Sequence, residues 1–151
     1  MTESQRWAQE LAQAGKWLDR VLKGLAESQA RRNPPRGARS IARAVWHLAE
    51  VDRHVIAMID HKPVAFPFPG DEAKATPRTR VPALSALKSA AASGRRELIR
   101  RVRRLSPAGL RGRGYGRMNM EQTLRAVTWH GVYHAGQIAL LRRLTGKPIK
   151  R

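Results

Sequence analysis

Four segments of this chain repeat apolar residues at intervals of three and four positions, and this periodicity constrains the fold more than any other feature. It predicts helices over about 3–27, 40–62, 81–106 and 119–144. The stretches between them are rich in proline and glycine, and proline ends a helix because it lacks an N–H and clashes with the preceding turn. No segment alternates apolar and polar residues as a half-buried strand does. The predicted fold class is therefore all-α, a four-helix bundle.

The helix ends carry more specific signals. Ser40 or a neighbouring residue is the predicted N-cap of the second helix, and Asn119 with Gln122 three positions later resembles a capping box at the start of the fourth. Pro82 suits the first turn of the third helix, and a glycine-then-proline terminator at 146–148 follows the fourth. The connection between the second and third helices is long enough to run the length of a bundle. We therefore expect these two helices to be parallel, in an up-down-down-up order.

Length and composition limit the class of protein. A chain of 151 residues suits one domain spanning 1–151, and the absence of cysteine excludes disulfides and thiolate metal ligands. We see no secretory signal and no apolar run long enough to cross a bilayer, so we expect a cytoplasmic protein without a membrane partner. Lysine and arginine number 30 against 11 acidic residues, a net charge of +19. Such a charge favours anionic partners, although arginine-rich coding can produce the same surplus.

Histidines supply the most specific chemical signal. His130 and His134 are four residues apart in the fourth helix, so their rings stack on one helix face. His47 lies at the edge of the apolar stripe of the second helix and could close a metal site with them. Three imidazoles leave positions on the ion for water or substrate, and they suit zinc, nickel, copper or iron. The alternative without a metal is that each histidine forms a hydrogen bond with a backbone carbonyl or lies at the rim of the core.

Three further side chains are candidates for supporting roles around this site. His54 follows His47 by seven residues and shares its helix edge, so we place it near the site rather than on the ion. Tyr133 could donate a hydrogen bond into the pocket or be an ordinary interface or core aromatic residue, and Gln137 could orient a ligand or bound water. No residue is a clear general base.

Two stretches carry a family resemblance. The sequence SIARAVWHLAEVDRH at 40–54 and WHGVYHAGQIALLRR at 129–143 resemble the DinB-like (damage-inducible) superfamily, over essentially the whole chain. The resemblance implies a four-helix bundle, commonly a homodimer, with a metal triad of one histidine from the second helix and a His-x-x-x-His pair from the fourth. By position, that triad is His47, His130 and His134. Characterised members include thiol-dependent transferases and isomerases.

These observations favour a divalent-metal enzyme, with zinc or nickel as the ion. It would hydrolyse an anionic small molecule or use a low-molecular-weight thiol in transfer or isomerisation. Two alternatives stay open: a non-catalytic metal-binding protein, and a basic helical module that binds nucleic acid. The second alternative depends on four arginines of the third helix that could follow a phosphate backbone, Arg96, Arg100, Arg103 and Arg104.

Overall fold

Four long helices form the framework of the protein. The computed structural model describes residues 1–34, 39–68, 70, 72–76 and 79–145. Over these residues it contains no strand, one 3-10 helix at Glu72–Lys74, and six α-helices. The α-helices are α1 (Glu3–Leu22), α2 (Glu27–Ala30), α3 (Ile41–Asp60), α4 (Leu84–Val102), α5 (Pro107–Arg111) and α6 (Met120–Leu144). The long helices are α1, α3, α4 and α6, so the all-α prediction is confirmed.

The long helices form two parallel pairs that run in opposite directions. One core cluster joins the C-terminal ends of α1 and α6 to the N-terminal ends of α3 and α4, through Val21, Ile138, Ile41 and Leu84. The other joins the opposite ends, through Trp7, Leu124, Val55 and Leu98. The chain therefore runs up-down-down-up, as the sequence predicts, and the long connection crosses the bundle between α3 and α4.

The predicted caps form. The Ser40 hydroxyl accepts from the Arg43 amide at 3.3 Å. At α6, Asn119 Oδ1 accepts from the Gln122 amide at 2.8 Å while Gln122 Oε1 accepts from the Asn119 amide at 3.0 Å, a complete capping box. The terminator predicted at 146–148 lies outside the described residues.

Three helix limits differ from the sequence prediction. The first helix ends at Leu22 rather than near 27, because Gly24 adopts a φ of +66°, and residues 27–30 form the separate helix α2. Pro82 precedes α4, whose N-cap is Ala83, instead of lying in its first turn. The third predicted helix ends at Val102 rather than near 106. Residues 107–111 then form α5, a short helix that the apolar periodicity does not predict and that the Ser106 hydroxyl caps.

A buried ion pair joins α3 to α4 at mid-bundle. Arg95 Nε donates to Asp52 Oδ2 at 2.8 Å, and the two residues are 9% and 2% exposed. Burial raises the pKa of Asp52 above its ordinary value, and the attraction of Arg95 only partly offsets this. The pair directs the Asp52 carboxylate towards α4.

No helix in the described part of the chain combines the length and apolar character needed to cross a membrane.

Candidate metal centre

Three histidines from two helices converge inside the bundle. α3 supplies His47, and α6 supplies His130 and His134 from consecutive turns. His130 Nε2 lies 3.2 Å from His47 Nε2 and 3.0 Å from His134 Nε2. One ring nitrogen from each residue lies within 4.8 Å of the other two, and this is the cluster of possible metal ligands found among the described residues.

The spacing of these nitrogens fits a shared ion. Nitrogens bound to zinc at about 2.0–2.1 Å in tetrahedral geometry are about 3.3 Å apart. A ring nitrogen carries at most one proton, so His130 Nε2 can donate to only one of its two neighbours. A cation would instead accept a lone pair from all three rings. The donor set is therefore suitable for a divalent metal.

The surroundings of His130 and His134 favour their neutral form, which is the state that binds metal. His134 is 4% exposed, and its burial, followed by the nearby His130, His47 and Arg39, lowers its pKa to about 4, with Gln137 acting in the opposite direction. Burial, then His47, Arg39 and Arg95, lowers the pKa of His130 as well. Both shifts favour the neutral imidazole, which keeps one N–H and offers its other nitrogen as a ligand.

The connection between α3 and α4, called the crossover below, places a carboxylate beside Nδ1 of His47. Glu72 lies in the 3-10 helix and is 0% exposed, and its Oε2 is 3.3 Å from His47 Nδ1. Its Oε1 lies 3.1 Å from Arg39 Nε and 3.2 Å from Arg43 Nε. Burial alone would raise the pKa of Glu72, but His47, Arg39 and Arg43 together bring it below the ordinary value. The ionised carboxylate favours a proton on Nδ1 of His47, which leaves the Nε2 lone pair for a metal.

Two residues of α3, one on each side of His47 in sequence, hydrogen-bond to the backbone of the crossover and so hold Glu72 in place. Glu50 accepts from the Glu72 amide at 3.0 and 3.2 Å, and Arg43 Nη2 donates to the Ala75 carbonyl at 3.0 Å. Residues three and four positions from His47 share its helix face, so they can hold the crossover directly over it. Sequence reasoning missed Glu72, because one carboxylate in an irregular segment has no periodic signal. The polar positions 43 and 50 flanking His47 were the available hint.

The other predicted site residues lie around the triad rather than in it. The His54 ring packs edge-on against the Tyr115 ring at 5.9 Å, away from the converging nitrogens. Tyr133 is 60% exposed, and its hydroxyl accepts from Gln137 Nε2 at 2.7 Å. Its ring lies 5.3 Å from that of His134, so Tyr133 and Gln137 form a pair on the outer side of this histidine.

A cavity of about 510 Å³ opens beside His47 and His130. It lies between α3 and α6, and the crossover and the loop before α6 contribute to its walls. The described residues that line it, besides these two histidines, are Glu50, Val51, His54, Val55, Met58, Phe66, Ala73, Tyr115, Met118, Thr123, Ala126 and Val127.

The arginines of the nucleic-acid hypothesis lie on and just beyond α4. Arg96, Arg103 and Arg104 are exposed. Arg100 is also exposed but donates to Glu97 at 2.9 and 2.6 Å. None of the four lines the cavity beside the triad.

The fold and the site define a class: an up-down-down-up helical bundle in which three imidazoles on two helices can share an ion. The chain belongs to the DinB superfamily, whose family model matches residues 10–138. Among solved structures, it resembles a conserved protein from Enterococcus faecalis with a TM-score of 0.76, at 18% identity over 95% of this chain and 97% of that one. This likeness supports the fold alone. A comparison with curated proteins finds no significant match.

Proposed function

We propose that the protein is a divalent-metal-dependent enzyme whose ion, zinc or nickel, is held by His47, His130 and His134. The observation that carries this proposal is that His130 Nε2 lies at ligand spacing from the Nε2 atoms of both His47 and His134, with one ring nitrogen of each residue within 4.8 Å of the other two. A bound ion would acidify a water molecule for hydrolysis or bind a thiolate for transfer or isomerisation. Glu72 would hold the His47 ring in the ligating tautomer.

The exposure of the triad favours catalysis over a purely structural metal. His134 is buried, whereas His47 and His130 line a cavity that a small molecule can occupy. Three protein ligands leave at least one position on the ion, as in catalytic zinc sites. The net charge of +19 favours substrates with an anionic group. A bound divalent cation would favour the same substrates, because it attracts a carboxylate or a thiolate.

Metal analysis combined with activity assays tests this function. Purified wild-type protein should hold about one divalent ion per chain, and His134→Ala should hold none. His54→Ala, which removes a histidine outside the cluster, should retain the ion. Ester and amide hydrolysis and thiol conjugation should be screened with and without a chelator. Turnover that chelation abolishes and added metal restores supports the enzyme, whereas an ion retained by His134→Ala contradicts the ligand assignment. A bound ion without any metal-dependent turnover would favour the non-catalytic alternative.

A homodimer is part of the proposal, because the outer face of α1 and α6 exposes large apolar side chains. Trp17 is 44% exposed, Trp129 70% and Leu140 57%, and a groove of about 470 Å³ separates the two helices. Exposed apolar patches of this kind are typical of protein interfaces. Sedimentation should give a mass of two chains, and Trp129→Glu should give one. A wild-type monomer would contradict the dimer.

The nucleic-acid hypothesis has weaker support. α4 carries no aromatic residue on which bases could stack beside its arginines, and Arg100 is already paired with Glu97. Binding to DNA through phosphates would fall steeply with salt, and Arg96→Ala and Arg103→Ala would reduce that slope. We expect neither effect.

A further inference from the structure

The cavity beside the triad has a chemical character that the overall charge of the protein does not suggest. Its volume of about 510 Å³ lies within the range of about 300–1,000 Å³ typical of small-molecule sites. Yet none of the described residues that line it is a lysine or arginine. The large positive charge of the chain is therefore carried elsewhere.

Apolar side chains form most of the wall. Val51, Val55 and Met58 extend from the His47 end along α3, Val127 faces them from α6, and Phe66 comes from the crossover. The one ionisable acid, Glu50, already holds the Glu72 amide. A ligand entering this space would meet mostly hydrocarbon, with polar groups at the His47 and His130 end and at His54, Tyr115 and Thr123.

We propose that the cavity binds the apolar body of the substrate, an organic molecule in which a metal-binding donor is attached to an alkyl or aryl group. This inference rests on the proposed metal site and adds the substrate class to it. The donor, a carboxylate, hydroxamate or thiolate, occupies the end lined by His47 and His130. The alkyl or aryl group extends along α3 between Val51 and Val127.

The loop before α6 forms the outer wall of the cavity. It carries Tyr115, whose amide donates to the Thr123 hydroxyl at 2.9 Å and whose ring packs against His54. Gly114 permits this fold, because a Cβ there would lie 2.1 Å from Thr123 Oγ1 and 2.4 Å from the Asn119 carbonyl oxygen. Tyr115 thus occupies a defined position at the cavity, and we expect its ring to limit the length of ligand that fits.

A series of straight-chain hydroxamates, from acetohydroxamate to octanohydroxamate, tests the proposal on metal-loaded protein. All members share one metal-binding group, so differences in affinity report on the cavity. Each methylene buried should tighten binding about fourfold, the value for transfer of a CH₂ group out of water. Tyr115→Ala should leave the shortest ligand unchanged and extend this increment to longer chains.

A filled-cavity variant provides the matched control. Ala126 is exposed at the cavity and lies one turn before His130, so Ala126→Trp should block the apolar space without disturbing the core. We expect at least a tenfold loss for octanohydroxamate and less than a twofold change for acetohydroxamate. Ala86→Trp, at an exposed helical alanine outside the cavity, should change neither.

The outcomes separate the two proposals. Equal affinities for short and long hydroxamates in wild type, or equal effects of Ala126→Trp and Ala86→Trp, would overturn the apolar cavity while leaving the metal site standing. In His134→Ala the contribution common to all hydroxamates should disappear while the increment per methylene remains. If removal of the metal ligand leaves the common contribution intact, the metal site is wrong although the cavity is right. Absence of hydroxamate binding to wild type would overturn both.

Discussion

Replacing Glu72 by glutamine should weaken metal binding although Glu72 is not among the three converging residues. Its carboxylate is fully buried, 3.3 Å from His47 Nδ1, and balanced by Arg39 and Arg43. Glutamine keeps the shape of the side chain but removes the charge that favours the Nδ1–H tautomer of His47. It also leaves the charges of two guanidinium groups without their neutralising carboxylate beside the site, which disfavours a divalent cation.

The expected magnitude follows from comparable carboxylate–histidine–metal arrangements, in which loss of the outer carboxylate costs about 10- to 100-fold in metal affinity. That range corresponds to about 1.4–2.7 kcal/mol. Because one of three ligand rings loses its support while the other two do not, we expect a result in this range rather than loss of the ion. Competition with a chromophoric chelator near neutral pH measures the affinity.

Glu27→Gln is the matched control for this experiment. Glu27 likewise pairs with an arginine, Arg31, and it accepts from the Leu84 amide at 2.8 Å, but it lies away from the triad. Its replacement should leave metal affinity unchanged. If Glu72→Gln binds metal as tightly as Glu27→Gln, then Glu72 does not support His47 and the reasoning is refuted.

Three further predictions concern stability. When the free ion concentration before chelation is about 1,000 times Kd, the bound ion stabilises the fold by about 4 kcal/mol. Chelation should therefore lower Tm by roughly 10 °C, and His134→Ala should show no such shift. Asp52→Ala should reduce the free energy of unfolding in urea by about 3–5 kcal/mol, because it leaves Arg95 charged and buried, and a loss below 1 kcal/mol would contradict this. Hydrogen bonds from Arg101 hold the pKa of Asp60 below the ordinary 3.8, so the unfolded chain binds more protons as the pH falls through that value. Stability should therefore drop there in wild type and drop less in Asp60→Asn, as Tm measured against pH would show.

Local signals explain why the framework of the fold was predictable. The apolar stripes of α1, α3, α4 and α6 determine which faces are buried, and the caps at Ser40 and Asn119 form between residues three positions apart. Such features are readable because both partners lie in one short segment. The end of α1 at Leu22 was not predicted, since it depends on Gly24 adopting a left-handed conformation that the sequence permits but does not require.

The candidate site likewise combines features that lie within one helix, which were predictable, with contacts between distant segments, which were not. His130 and His134 are aligned by the helix itself, His47 joined them through its position on the apolar stripe of the second helix, and the family resemblance implies all three. Glu72 reaches His47 only because the crossover folds back over α3, a contact made between residues 25 positions apart in sequence. The apolar cavity was not predicted either, because a net charge of +19 describes the whole chain and does not show which surfaces carry the charged side chains.

The most direct test of the metal centre is a crystal structure of the metal-loaded protein with anomalous scattering recorded at the absorption edge of the bound ion. We predict a single anomalous peak bonded to the Nε2 atoms of His47, His130 and His134, with its remaining ligands not supplied by the protein. A peak at any other position, or one bonded to only two of these histidines, would contradict the account.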